Sequence, residues 1–176
     1  MATTAKTFKY KMYASARNRK IHQQINAAGM VYNHCIALQK HLTKLKRVKR
    51  FSYLKEIGSQ AVQDITDRIA RAYKLFFEYT GKRKIRPPQF KKVRKYKSFT
   101  LKQAGWALDE DTHTIVVNGQ KYRYFKSRSI EGKIKTVTVK RDHLGDIYIY
   151  FVCQVEAKEV KPRLGKSIGF DFGFEG

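Results

Sequence analysis

The apolar residues of this chain change period twice, and that restricts the folds open to it. In KTFKYKMYAS (Lys6–Ser15), Phe8, Tyr10 and Met12 alternate with polar residues, the two-residue period of a strand with one buried face. From about Arg17 the period lengthens. Ile21, Ile25, Ala28, Tyr32 and Ile36, then Leu42 and Leu45, recur every three or four residues. This predicts a long helix running out into KLKRVKR (Lys44–Arg50), whose cations suit a helix C-terminus. A second helix is predicted in SQAVQDITDRIARAYKLFFEYTG, with Val62, Ile65, Ile69, Tyr73 and Phe76 as its stripe, Ser59 as N-cap and Gly81 as stop. From Ser98 the alternation returns. HTIVVNGQKYRYF holds Asn118-Gly119 between two short strands, the strongest local signal of a hairpin. KIKTVTVKRDHLGDIYIYFVCQVE is a second hairpin that puts Ile147, Ile149, Phe151, Cys153 and Val155 on one face. A polar linker, AKEVKPRLGK, leads to a last apolar strand, IGFDFG. Strand, two helices, then a meander predicts an α+β fold in which the first strand joins the later sheet and the helices are an insertion.

Between the second helix and the sheet lies GKRKIRPPQFKKVRKYK (Gly81–Lys97), with nine cations, no acid, and Ile85, Phe90 and Tyr96 among them. Pro87-Pro88 forbids a continuous helix, so an extended basic connector is expected. The connector is the sharpest part of a wider asymmetry. The chain carries 38 Lys+Arg against 14 Asp+Glu, a net charge of +24; 25 of those cations but only 4 of the acids lie in residues 1–100. Polyanions are the expected partners, and cations interleaved with aromatics suit phosphate contacts combined with base stacking. A plain solvated loop is the alternative reading of such a run.

Other chemistry is thin. Cys35 and Cys153 form no CxxC pair and no His/Cys cluster stands at ligand spacing, which argues against a structural zinc site. No apolar run is long enough to span a bilayer and the N-terminus lacks a signal-peptide pattern, so a cytoplasmic protein with no membrane partner is expected. There is no nucleophile–base pair and no phosphate-binding glycine loop. His34-Cys35 reads as core, and Asp109-Glu110-Asp111 as an acidic turn. Ser59, Gln60 and Gln63 near the start of the second helix are able to read bases, since glutamine bonds adenine bidentately, or are solvent-facing polar residues of a first turn. Asp171, a lone acid in the glycine-punctuated strand IGFDFGFEG, is a candidate metal ligand at a strand end. A two-metal site needs several converging carboxylates, and one cannot hold it.

MVYNHCIALQK (Met30–Lys40), SQAVQDITDRIARAYKLFFEY (Ser59–Tyr79), RPPQFKKVRKYKSFT (Arg86–Thr100) and SIGFDFG (Ser167–Gly173) resemble, in order, the TnpB family of transposon-encoded RNA-guided DNA nucleases, related to the type V CRISPR effectors. The resemblance implies an antiparallel wedge-type β-barrel (residues 1–14 and 96–160), interrupted by a helical recognition insertion with the basic connector (15–95) and followed by the first strand of a RuvC-like domain (161–176). It puts Asp171 at the first catalytic, metal-binding carboxylate. It turns Ser59, Gln60 and Gln63 toward the short DNA element beside the target, with Tyr53 and Thr100 as further candidates. Guide RNA and its heteroduplex with target DNA are the implied partners of the first helix and the connector. The candidate backbone contacts are Lys44, Lys46, Arg47, Lys49, Arg50, Lys82, Arg83, Lys84, Arg86, Lys91, Lys92, Arg94, Lys95 and Lys97. Family members carry a further Glu, a further Asp and a CxxC-type zinc element that this sequence does not contain. The chain by itself is therefore expected to lack nuclease activity, and Mg2+ is expected only where a second polypeptide supplies the rest of a RuvC-like site. A nuclease-dead RNA-guided DNA-binding regulator, and a plain basic DNA-binding protein without guide RNA, are the alternatives.

Overall fold

The computed structural model describes residues 3–40, 53–80 and 85–157, with the backbone alone at 39–40 and 53–55. In chain order the elements are β1 (Thr3–Lys11), α1 (Asn18–Lys40), α2 (Tyr53–Glu78), a single helical turn at Val93–Lys95, β2 (Ser98–Leu101), β3 (Trp106–Asp109), β4 (Thr114–Val117), β5 (Gln120–Arg123), β6 (Lys133–Arg141) and β7 (Ile147–Glu156). The fold is α+β, with two helices and two antiparallel sheets. One sheet has the order β1-β7-β6-β2 and the other β3-β4-β5. The first strand pairs along its whole length with the last described one, from Thr3 opposite Glu156 to Lys11 opposite Tyr148.

The sheets do not close into the barrel expected from the resemblance. They meet along one seam, where Met12 bridges Tyr124, Tyr13 N donates to Arg123 O at 3.0 Å, and Phe125 N donates to Lys11 O at 2.8 Å. On the other side, no ladder joins β2 to β3 among the described residues. β2 and β3 are each four residues long, with only residues 102–105 between them. Asn118 N instead bonds Gly105 O at 2.8 Å, so this link is tied to the β4–β5 turn rather than continuing a sheet.

Alternation sets the burial. Phe8 and Tyr10 of β1, Phe99 and Leu101 of β2, Val137 and Val139 of β6, and Ile147, Ile149, Phe151 and Cys153 of β7 are all buried. Ile21, Ile25, Ala28, Tyr32 and Ile36 bring α1 into the same core, and Ile57, Ala61, Ile65 and Ile69 bring α2. Each of the larger apolar side chains contributes about 1.5–3 kcal/mol by leaving water, so this single core holds the helices to the sheets.

The second helix departs from its sequence reading at its start. It begins at Tyr53, and Gly58 (φ 73°, ψ 159°) breaks its geometry. Ser59 therefore opens a straight segment after a kink instead of capping a free end. A positive φ is accessible to glycine because it has no Cβ. The helix ends at Glu78, ahead of Gly81, which lies outside the described residues.

Candidate nucleic-acid interface

The described part of the basic connector is extended apart from the turn at Val93–Lys95, and it is fastened to α1. Asn33 makes a two-point clamp on it: its Nδ2 donates to Lys91 O at 2.7 Å and its Oδ1 accepts from Lys91 N at 2.8 Å. Next, Tyr96 packs against α1 at Gly29, where an added methyl would stand 2.9 Å from Tyr96 Cβ. Arg141, at the end of β6, makes the third fastening. Its Nη2 donates to Asn26 Oδ1 and to Tyr96 O, both at 3.0 Å, and to Arg94 O at 3.3 Å. Its backbone N donates to Lys97 O at 2.7 Å. His22 Nδ1 lies 3.5 Å from Arg141 Nη1. Burial first, and the Arg141 charge second, lower the His22 pKa from its ordinary value. The ring therefore favours its neutral form beside the guanidinium.

This mounting leaves the cations outward. Arg86, Lys91, Lys92, Arg94, Lys95 and Lys97 are all exposed, and among the described residues none of them joins an ion pair. The Lys91 ammonium sits 4.6 Å above the Tyr32 ring. The interleaved apolar residues divide. Phe90 and Ile85 are exposed, whereas Tyr96 is buried at 8% and belongs to the core. Tyr96 is a packing residue and presents no stacking face to a base. The remaining predicted backbone contacts, Lys44, Lys46, Arg47, Lys49, Arg50, Lys82, Arg83 and Lys84, lie outside the described residues, as does Asp171.

At the start of α2, Ser59 and Gln63 are exposed, one helical turn apart on one face. Gln60 is half-buried, and its Oε1 accepts weakly from Gln103 N at 3.4 Å. The kink that aims this segment is held from the sheet: Asn118, at φ 47° in the β4–β5 turn, donates through Nδ2 to Ile57 O at 3.2 Å. Lys102 Nζ meets Asp67 at 2.6 Å one turn further along α2. Thr100 alternates with buried Phe99 and Leu101, and its hydroxyl pairs with that of Thr138 at 2.9 Å. Tyr53 begins α2, but its side chain lies outside the described set.

Sequence reading missed a surface of lysines and tyrosines on the outer face of the four-stranded sheet, in which Lys11 is paired with Asp146. Register sets Lys9 opposite Tyr150, Tyr150 opposite Thr138, and Thr138 opposite Thr100. The adjacent row runs Lys11, Tyr148, Lys140, Ser98. The Lys9 ammonium lies 4.3 Å from the Tyr148 ring centroid. The alternation of Tyr148 and Tyr150 with buried isoleucines, and Lys140 across the same hairpin, were visible in the sequence, but Lys9 and Lys11 come from β1, far away along the chain.

The other candidates resolve simply. Burial pushes the Cys35 thiol up, which keeps it protonated and a poor nucleophile. Asp109 is the hub of a turn, accepting from Asp111 N and Thr112 N at 3.1 Å each. Among the described residues no group of three His, Cys, Asp or Glu side chains could hold a metal ion, and no helix is long and apolar enough to cross a membrane.

No family model matches the chain. It is 29% identical over 161 residues to an Escherichia coli (strain K12) protein described as "Putative RNA-guided DNA endonuclease InsQ". The match covers 91% of this chain and 38% of that protein, in its N-terminal part. It bears out the family resemblance drawn from the motifs.

Proposed function

We propose, from the premise that this chain is a relative of the TnpB proteins, that it forms the part of an RNA-guided DNA nuclease that holds guide RNA and target DNA. The observation that carries this reading is the row of exposed cations from Arg86 to Lys97, free of ion pairs among the described residues and fastened to α1 by Asn33 and Arg141. A charge run left as a mobile loop would lose entropy on binding. Cations held in advance on a helix lose little of it, and each phosphate they neutralise releases counterions. Ser59 and Gln63, on the segment aimed by the Gly58 kink, supply donors and acceptors for base edges. In this reading they contact duplex DNA while the connector follows an RNA backbone. Asp171 would be a metal-binding carboxylate of the associated nuclease centre.

Copurification tests the reading. The full chain is expected to carry a structured RNA, and replacing Lys92, Arg94 and Lys95 together with alanine should reduce the salt dependence of RNA binding by a log–log slope of about 2–3. Purified protein that carries no RNA, and binds duplex DNA equally well with or without added RNA, would remove the guide-dependent reading.

A further inference from the structure

The link between β2 and β3, residues 102–105, lies against the start of α2 and is fastened at both ends. Lys102 Nζ meets Asp67 at 2.6 Å, and Lys102 O accepts from Trp106 Nε1 at 3.1 Å. Gln60 Oε1 accepts from Gln103 N at 3.4 Å. At the far end, Gly105 O accepts from Asn118 N at 2.8 Å. The Asn118 side chain fills the angle between this link and the α2 kink. A Cβ built on Gly58 or Gly105 would stand 3.1 or 3.2 Å from Asn118 Oδ1, while Asn118 Nδ2 donates to Ile57 O. One side chain therefore sets the kink and the link against each other.

Helix geometry brings this link beside the residues already read as base contacts. Gln60 and Asp67 are two turns apart on one stripe of α2, and Gln63 lies between them, offset toward Ser59. The stripe that carries the link is thus the neighbour of the exposed pair Ser59 and Gln63. Two residues that the family resemblance turned toward DNA are otherwise engaged. Gln60 gives its side-chain oxygen to the link. Thr100 stands on the outer face of the sheet, between Phe99 and Leu101 in the core that holds α2, and its hydroxyl pairs with Thr138. Gln103 differs from both. It is exposed, and its side chain makes no hydrogen bond among the described residues. A glutamine amide offers a donor and an acceptor at fixed spacing, which matches the adenine edge in the major groove. Held on a fastened link, it has little backbone freedom to lose on binding.

We propose that Gln103 is a third base-reading residue, that it forms one surface for duplex DNA with Ser59 and Gln63, and that Asn118 is the positioning residue that keeps the two parts of that surface in register. Gln60 serves the same surface as a tether and not as a reader. The proposal rests on the nucleic-acid reading above and names a further determinant of its sequence preference.

The test selects from duplex DNA carrying a randomised segment, using the full chain with any RNA it carries, and sequences the bound fraction. Gln103→Ala should keep the wild-type melting temperature, since the residue is exposed. It should lose preference at one base position, by roughly tenfold in relative affinity. Gln63→Ala should lose preference at a neighbouring position. Asn118→Gly keeps a residue suited to positive φ but removes the bond to Ile57 O, and should lose preference at both positions together. A residue that merely stabilises the fold would lower occupancy of every duplex alike and leave the ranking of bases unchanged. Preference retained at every position in Gln103→Ala overturns the assignment of Gln103, and the nucleic-acid reading survives if the connector cations still carry RNA binding. An unchanged ranking in Asn118→Gly overturns the positioning role. A wild type that selects no sequence overturns the surface as a whole. If the Gln103 signature is present in protein that carries no RNA, this surface stands and the guide-dependent reading fails.

Discussion

Gly29→Ala should destabilise this protein, although the same change in an ordinary helix would stabilise it. Gly29 lies in the middle of α1, where replacing glycine by alanine gains about 1 kcal/mol of helix propensity. Here the new methyl would sit 2.9 Å from Tyr96 Cβ and 3.1 Å from Tyr96 Cγ, with the Val93 backbone at 3.5 Å. Those atoms cannot swing away as the end of a long side chain can. Tyr96 is buried, and its carbonyl is held by Arg141. Forced overpacking costs about 1–3 kcal/mol, and the fixed position of Tyr96 puts this site in the upper half of that range. The net effect is then a loss of roughly 1–2 kcal/mol, or about 2–8 °C in melting temperature for a chain of this size. Thermal denaturation of the purified protein reads it directly. Hydrogen exchange at residues 91–97 reads where it acts, since the clash falls on the docking of the connector. Gly29→Val, bulkier and without the propensity gain, should be worse on both measures. A rise in melting temperature for Gly29→Ala would refute the reasoning, because it would mean that the connector does not press on α1 at this point.

Other expectations concern the same elements. Asn118→Ala removes the bond to Ile57 O and places a non-permissive residue at positive φ, which should cost about 1–2 kcal/mol by chemical denaturation; Asn118→Gly should recover the backbone part of that loss and not the bond. Because the folded His22 pKa lies below its unfolded value near 6.5, the unfolded chain takes up the proton first. Its contribution to stability is therefore present above about pH 6.5 and is lost as pH falls through the lowered folded value. Melting temperatures between pH 7.5 and 5.5 should decline less steeply in His22→Gln, and an unchanged slope would count against the assignment. Ser59→Ala with Gln63→Ala, both exposed, should leave stability within about 0.5 kcal/mol of wild type while flattening sequence preference in a DNA-binding selection; a preserved preference would remove these residues as base readers.

The stripe Ile21, Ile25, Ala28, Tyr32, Ile36 and the alternation through Ile147, Ile149, Phe151 and Cys153 could be read directly, because burial of one face leaves a period in the sequence. Asn118-Gly119 gave the β4–β5 hairpin for a similarly local reason. The start of α2 could not be read so simply. Ser59 has the chemistry of an N-cap, but a helix can run through such a residue when tertiary contacts hold the turn before it, and Asn118, distant in sequence, does that. Tyr96 stood in a run of cations as a natural stacking residue, and only packing against Gly29 showed that it is core.

The candidate site divides in the same way. The sequence by itself determined that the chain is α+β and that its charge is concentrated in its first hundred residues, since composition and period are carried by each segment alone. Tertiary structure decided which cations are mounted rather than loose, through Asn33 and Arg141. It also decided that lysines of β1 meet tyrosines of β7, and that Gln103 comes to lie beside the start of α2. Those outcomes depend on contacts between residues far apart in the chain. Their energies come from shape and hydrogen-bond geometry across elements, and no local pattern of residue types records them.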